Sequence, residues 1–451
     1  MRGNVNNLKK NFIHPPRLLA ISFLLAILAG SILLSLPVAT RSGHISFINA
    51  LFTSASAICV TGLTVVETAT YFSLFGQIVI ICLIQLGGLG IMTFSSFILL
   101  TAGRRVTLTG KMVVEGSFRP SVISDFRSLL KDVFAFTFGL EAVGAVALLI
   151  CFGQDFPRGQ ALFASIFHSI SAFCNAGFSI FSDNLVGYRS DVAINLIIMI
   201  LIIAGGLGFF VLQELKVAFG HLVKKDRTKF SLHTKLVGLI TVSIILLSSG
   251  LIFLIESGRG FSGLPLKDRL LASSFQVVSA RTAGFNTVDL NILSVSSILL
   301  LMLVMFIGAS PGSTGGGVKT TTFGLIFAFL KSKIQGYEIP RIFSRGIKDE
   351  DLIKAFTLVL LAVSLIFMAT FLILLIEPEL SLKAVLFEVI SSFGTVGLSL
   401  GITPGLTGFS KLMLIMVMYI GRIGPLIILA AFSRIKPAGH FQFVEENIMV
   451  G

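Results

Sequence analysis

Eight stretches of this chain run for the thickness of a lipid bilayer almost without charge. They lie at about 18–36, 74–100, 132–152, 192–213, 234–255, 295–308 continuing to 330, 352–376 and 410–433. A helix of about 20 residues crosses the roughly 30 Å hydrocarbon core, and every backbone polar group there must be satisfied internally. The pattern therefore demands helices in a membrane. Composition agrees: of 451 residues 54% are hydrophobic and 13% charged, with mean hydropathy +0.95, where an ordinary globular domain carries about 25% charge. A water-soluble enzyme and a disordered chain are both excluded. The first run follows Lys9, Lys10 and Arg17, as a signal peptide would. It is too long for a signal core and more spans follow it, so it reads as a first transmembrane helix.

The net charge of +13 would suggest a nucleic acid if it sat on a soluble face. It does not. Segments 1–17, 101–131, 214–235, 331–354 and 434–451 hold 24 of the 35 Lys and Arg. Eight spans put all five segments on one side of the membrane. By the positive-inside rule that side is the cytoplasm, with both termini there. The surplus fixes orientation in the plasma membrane, suits contact with anionic lipid, and argues for no nucleic acid partner.

Between the members of each pair of spans lies a shorter, semi-polar segment, near 47–61, 160–174, 268–281 and 383–394. These are too short to cross and read as re-entrant helices. Their ends align: Val60-Thr61-Gly62-Leu63, Asn175-Ala176-Gly177-Phe178, Thr282-Ala283-Gly284-Phe285 and Thr395-Val396-Gly397-Leu398. A second glycine feature follows in step on each later span, at Gly87-Gly88-Leu89-Gly90, Gly205-Gly206-Leu207-Gly208, Gly308 and Gly421-Arg422-Ile423-Gly424. The chain is thus predicted to be an all-α, multi-pass membrane protein of four pseudo-symmetric repeats around a central pore: 1–100, 101–219, 220–334 and 335–451.

Extended backbone at membrane depth is tolerated only when buried or lining a watery cavity. Four such turns around an axis make a ring of carbonyl dipoles, which can replace the hydration shell of a monovalent cation. Glycine fits because the turn favours positive φ and close approach leaves no room for a Cβ. Leu63, Phe178, Phe285 and Leu398 are expected to pack behind the ring. The competing reading, small residues for tight helix packing, explains one such glycine better than four in phase.

These residues carry a resemblance to the Trk/Ktr/HKT superfamily of potassium transporters, closest to the ion-translocating membrane subunit of bacterial Ktr systems. The stretch Gly308-Ala309-Ser310-Pro311-Gly312-Ser313-Thr314-Gly315-Gly316-Gly317-Val318-Lys319 is also similar to the family. The resemblance implies K+ held at filter carbonyls as the transported ion, with sodium dependence an open alternative. It also implies a homodimer and a cytosolic ring of nucleotide-binding regulatory subunits. No repeat has the full Thr-Val-Gly-Tyr-Gly filter of potassium channels, which implies fewer stacked ion sites.

Residues 308–317 hold five glycines and a proline, so no helix continues through them. A nucleotide phosphate loop is excluded by the misplaced Lys319 and the preceding membrane helix. A plug beneath the filter is the expectation, and in Ktr-like proteins this loop resembles the gate. Arg422 is costly at such depth and is expected to face the pore near that loop. Arg281 is expected behind the filter, bonded to backbone carbonyls. His168 is read as a packing residue; Glu141 and Glu388 need partners. The four cysteines have no disulfide or metal spacing. No cofactor is implied in this chain. A secondary transporter of another cation or an organic solute remains the alternative; with no Ser/His/Asp set and no HExxH, an enzyme does not.

Overall fold

A computed structural model describes residues 15–90, 126–223, 230–343 and 345–432. The basic N-terminus up to residue 14, most of segment 101–131, residues 224–229, the tail 434–451 and the part of the 74–100 run beyond residue 90 lie outside the described residues.

One order of elements occurs four times: a long helix, a short helix, an extended turn, and a further helix. The first set is α1 (Pro15–Leu34), α2 (Phe47–Ile58) and α3 (Leu74–Gly88). The second is α4 (Phe126–Phe152), α5 (Arg158–Phe173) and α6 (Val192–Leu207), continued by α7 (Phe209–Val223). The third is α8 (Leu232–Glu256), α9 (Leu266–Ala280) and α10 (Val295–Phe306), then α11 (Thr320–Ile334) and a small hairpin, β1 (Arg341–Ile342) with β2 (Arg345–Gly346). The fourth is α12 (Asp349–Ile376), α13 (Leu382–Gly394), α14 (Gly408–Ile423) and α15 (Pro425–Phe432).

Four helices, α1, α4, α8 and α12, are each long and apolar enough to cross a bilayer. Their outward faces carry exposed Leu25, Val143, Leu247 and Phe367, which water would not tolerate in such numbers. The runs 192–213 and 410–433, expected to be continuous, are instead broken, while the run 295–330 is interrupted as its glycines predict. α6 and α7 meet at 105°, where Gly208 takes φ 90°. The run from 295 stops at Phe306 and resumes at Thr320. α14 gives way to α15 at Gly424, φ 97°. These positive φ values cannot belong to a right-handed helix, so the glycines end one helix and start the next in a new direction.

The short helices occupy the centre. From Phe52 to Ile58 every residue of α2 is buried, and α5, α9 and α13 are buried over most of their second halves. Their serines bond across to the long helices, as Ser54 Oγ does to Ile27 O (2.7 Å) and Ser169 Oγ to Glu141 O (2.6 Å). A Cβ on Gly30 or Gly144 would strike those same hydroxyls, so small residues set the close approach of helices here. The helices after each turn start at side-chain caps: Ser73, Asp191, Ser294 and Thr407 each accept a backbone N–H three residues on.

Candidate functional site: a ring of four turns

Each short helix ends in the same backbone figure. The residue two before the central glycine is left-handed: Val60 (φ 56°), Asn175 (61°), Thr282 (74°) and Thr395 (48°). The glycine is left-handed too, at 89°, 69°, 79° and 95° for Gly62, Gly177, Gly284 and Gly397. Non-glycine residues in this region cost about 1–3 kcal/mol each and persist only where the surroundings impose them. Serines do that here. Ser56 and Ser391 accept the N–H of Gly62 and Gly397 (3.0 Å each), Ser171 donates to Phe178 O (2.7 Å), and Ser279 donates to Phe285 O. These serines were missed by motif reading. Three of them stand six residues ahead of the glycine, a signal that was available; Ser279 stands five ahead.

The four turns close on one another. A Cβ placed on Gly62 would strike Ala176 O, one on Gly177 would strike Ala283 O, one on Gly284 would strike Val396 O, and one on Gly397 would strike Thr61 O. The order runs 62, 177, 284, 397 and back to 62. Glycine is thus required both by its φ and by the neighbouring strand's carbonyl, rather than by approach to an ion alone. Leu63, Phe178, Phe285 and Leu398, the residues that follow the four glycines, are all buried. The Asn175 amide lies 3.2 Å from the Thr282 hydroxyl. With its oxygen toward that hydroxyl, its nitrogen reaches Ala172 O and Ile202 O at 3.1 Å each. Its side chain therefore orients turns two and three.

On one side the ring opens into a vestibule of about 460 Å³ lined by all four glycines. Glu67, Asp183 and Asp289 also line it, with no Lys or Arg among its lining residues. On the other side lies the segment between α10 and α11. Gly316 N–H donates to Thr395 Oγ1 (3.0 Å), and a Cβ on Gly315 would strike Thr282 Oγ1. Ser310 and Thr314 donate their N–H groups to Gly206 O (3.1 Å) and Gly205 O (3.2 Å), and Gly312 O accepts from Phe209 (3.1 Å). Ile307 and Val318 pair as a bridge at its neck. Two cations bond its backbone: Lys319 Nζ to Gly315 O (2.7 Å), and Arg422 to Thr314 O and to Gly87 O. Gly308 and Gly317 pack against each other, and Ala309, Ser310 and Thr314 are buried, while Pro311, Gly312 and Ser313 are half-buried.

The remaining charged candidates sit apart from the ring's axis. Arg281 is buried, and its guanidinium donates to the Thr241 hydroxyl (3.2 Å) of α8. Its partner is thus a side chain of α8 rather than the expected backbone carbonyls. Glu141 is held by Gln85 (3.2 Å) and the Cys174 thiol (3.6 Å). Glu388 accepts from Ser399 (3.0 Å) and Thr403.

The family model of the TrkH cation transport proteins matches residues 22–442. The chain belongs to that family. Among its relatives, Ktr system potassium uptake protein B of Bacillus subtilis is 42% identical, with 97% of each chain covered. The potassium/sodium uptake protein NtpJ of Enterococcus hirae is 36% identical, covering 97% of this chain and 98% of that one. The crystal structure of the potassium transporter TrkH from Vibrio parahaemolyticus has the same fold, with a TM-score of 0.72 at 21% identity over 94% of this chain and 86% of that one. As a TrkH-family member, the chain is a membrane cation transporter with several apolar helices.

Proposed function

We propose that this protein takes up K+ across the plasma membrane, passively and channel-like, through the ring formed by Val60–Leu63, Asn175–Phe178, Thr282–Phe285 and Thr395–Leu398. The observation that carries this reading is the closed order of the four glycine turns, each against the next strand's carbonyl. A ring of carbonyls substitutes for the hydration shell of a monovalent cation. The carboxylates Glu67, Asp183 and Asp289 supply a negative mouth, which raises the local concentration of cations. In this reading eight crossings place both termini in the cytoplasm and the vestibule outside. The segment Gly308–Lys319, with Arg422, is the gate on the inner side. It fills the space beneath two of the turns, and its two cations oppose the passage of another.

No described residues form a nucleotide-binding domain, so nucleotide control of the gate requires a cytosolic subunit, as the Ktr resemblance implies, acting on a homodimer. The relative named for potassium and sodium uptake favours one second reading, in which Na+ is also carried or required.

Uptake of Rb+ by a host stripped of its own potassium uptake tests the function; no uptake with protein present in the membrane refutes it. Gly284→Ser and Gly397→Ser should each lower K+ over Na+ discrimination on the order of tenfold or more, since a side chain there displaces the adjacent carbonyl. Unchanged discrimination in both would remove the ring from the ion path. Co-purification with a cytosolic nucleotide-binding ring tests the partner.

A further inference from the structure

The four repeats share a backbone figure, but behind it the side chains follow a lower symmetry. Nine residues before the glycine of repeats 2 and 4 stand His168 and Glu388; two residues after it stand Ser179 and Ser399. In each repeat the pair is bonded. His168 Nδ1 donates to Ala164 O (2.8 Å), which leaves Nε2 of the neutral ring to accept from the Ser179 hydroxyl (2.9 Å). Glu388 Oε1 accepts from the Ser399 hydroxyl (3.0 Å). The serines match in their second bond as well. Ser179 accepts Phe181 N–H (3.0 Å) and Ser399 accepts Gly401 N–H (2.9 Å), each two residues on. Both His168 and Glu388 are buried, the ring of His168 stacked 4.4 Å from Phe181.

Repeats 1 and 3 lack this device. Thr53, at the matching place in repeat 1, gives its hydroxyl to Asn49 O (2.9 Å) of its own helix. In repeat 3 that place holds the buried Phe275, and the next residue, Gln276, is buried with no hydrogen-bond partner for its amide among the described residues. There Asn286, two after Gly284, is tied instead to the loop of repeat 2: its N–H donates to Asn184 Oδ1 (3.4 Å), and its carbonyl accepts from Leu185 N–H (3.1 Å). Repeats 2 and 4 are not neighbours in the ring, so the two tethers face each other across its axis.

We propose that His168 and Glu388 are positioning residues for selectivity. Each anchors, through its serine, the outer end of one of two opposed strands, and keeps that pair of carbonyls from closing around the smaller Na+. This rests on the ring being the ion path. A strand held from behind by a side chain that accepts a hydroxyl cannot relax inward without breaking that bond, and a buried polar partner left alone is disfavoured. The other two strands rely on contacts with neighbouring repeats, so selectivity is set by a two-fold frame inside a four-fold ring.

The test is K+ and Na+ flux in proteoliposomes, with the amount of folded protein measured by size exclusion in detergent. Ser399→Ala and Ser179→Ala each remove one hydroxyl and little volume. Each is expected to lower the K+ over Na+ preference on the order of tenfold, the worth of one such bond. Glu388→Ala, which also takes the acceptor from Thr403, should lower the preference at least as far as Ser399→Ala. The double variant should be no worse than Glu388→Ala alone, since the Ser399 coupling is already lost there. Glu388→Gln, which keeps an acceptor oxygen, should restore the preference, whereas Thr53→Val should leave it unchanged. A wild-type preference in both serine variants, alongside a changed one in Gly397→Ser, overturns the tethers and leaves the ion path standing. A wild-type preference in Gly397→Ser as well overturns both.

Discussion

Arg422 is the single side chain on which most of the inner assembly converges. It is buried and donates to two carbonyls, Thr314 O on the segment below the ring and Gly87 O at the end of α3. A guanidinium serves here because its fixed fork of donors can reach two acceptors at once. Arg422→Ala leaves both carbonyls without that partner and releases one end of the segment, so flux without any regulatory subunit should rise several-fold. Arg422→Lys keeps the charge but has one point donor, and should fall between the two. Proteoliposome Rb+ flux measures both, and wild-type flux with wild-type regulation would end the gating role. A charge in the last apolar run was visible from the sequence, and so was its need for a partner. Its partners were not, since Thr314 and Gly87 lie 108 and 335 residues away and are backbone groups. Arg281 shows the same limit: its partner Thr241 lies 40 residues away on another helix.

At the scale of elements, the short helices were the most legible, because their length and mixed composition exclude a full crossing. The expected segment 383–394 corresponds to Leu382–Gly394, and 160–174 to Arg158–Phe173. The break between α6 and α7 was not legible. Residues 192–213 carry no charge, and Gly205, Gly206 and Gly208 match the glycines of other spans read as unbroken; the interruption coincides with a distant contact. A Cβ on Gly208 would come within 2.6 Å of Pro311 O, and Phe209 N–H bonds Gly312 O. Two acids also join elements within repeats. Glu256, ending α8, accepts from Ser294 N–H (3.0 Å), Ser294 Oγ (2.6 Å) and Ser297 Oγ at the start of α10. Glu377, after α12, does the same for Thr407 and Ser410 at the start of α14. Charged acceptors at a helix N-terminus also meet its dipole favourably. Glu256→Ala should therefore lower stability by about 2 kcal/mol, read as a lower melting temperature of the purified protein. Glu256→Gln should lose less, as one oxygen remains.

At the scale of the whole molecule, the vestibule above the ring carries three carboxylates and no Lys or Arg among its lining residues. Replacing Glu67, Asp183 and Asp289 together by their amides should raise the cation concentration for half-maximal uptake several-fold at low salt. The effect should shrink as ionic strength passes about 0.15 M, where the screening length is about 8 Å. An effect independent of salt would mean direct coordination instead. The joint that completes the ring also has a history in time. Gly397 meets the Thr61 carbonyl, Lys411 reaches Asn49 (3.1 Å), and Arg422 reaches Gly87; each contact spans most of the chain. A ribosome delivers these partners last, and contacts this distant in sequence form slowly. Until the stretch 397–422 is made, the first three turns lack the neighbour that closes their circle, and Arg422 is not there to bond Thr314. The contact that closes the circle of turns and the bonds that Arg422 makes to Thr314 and Gly87 are thus supplied by the same late stretch of chain.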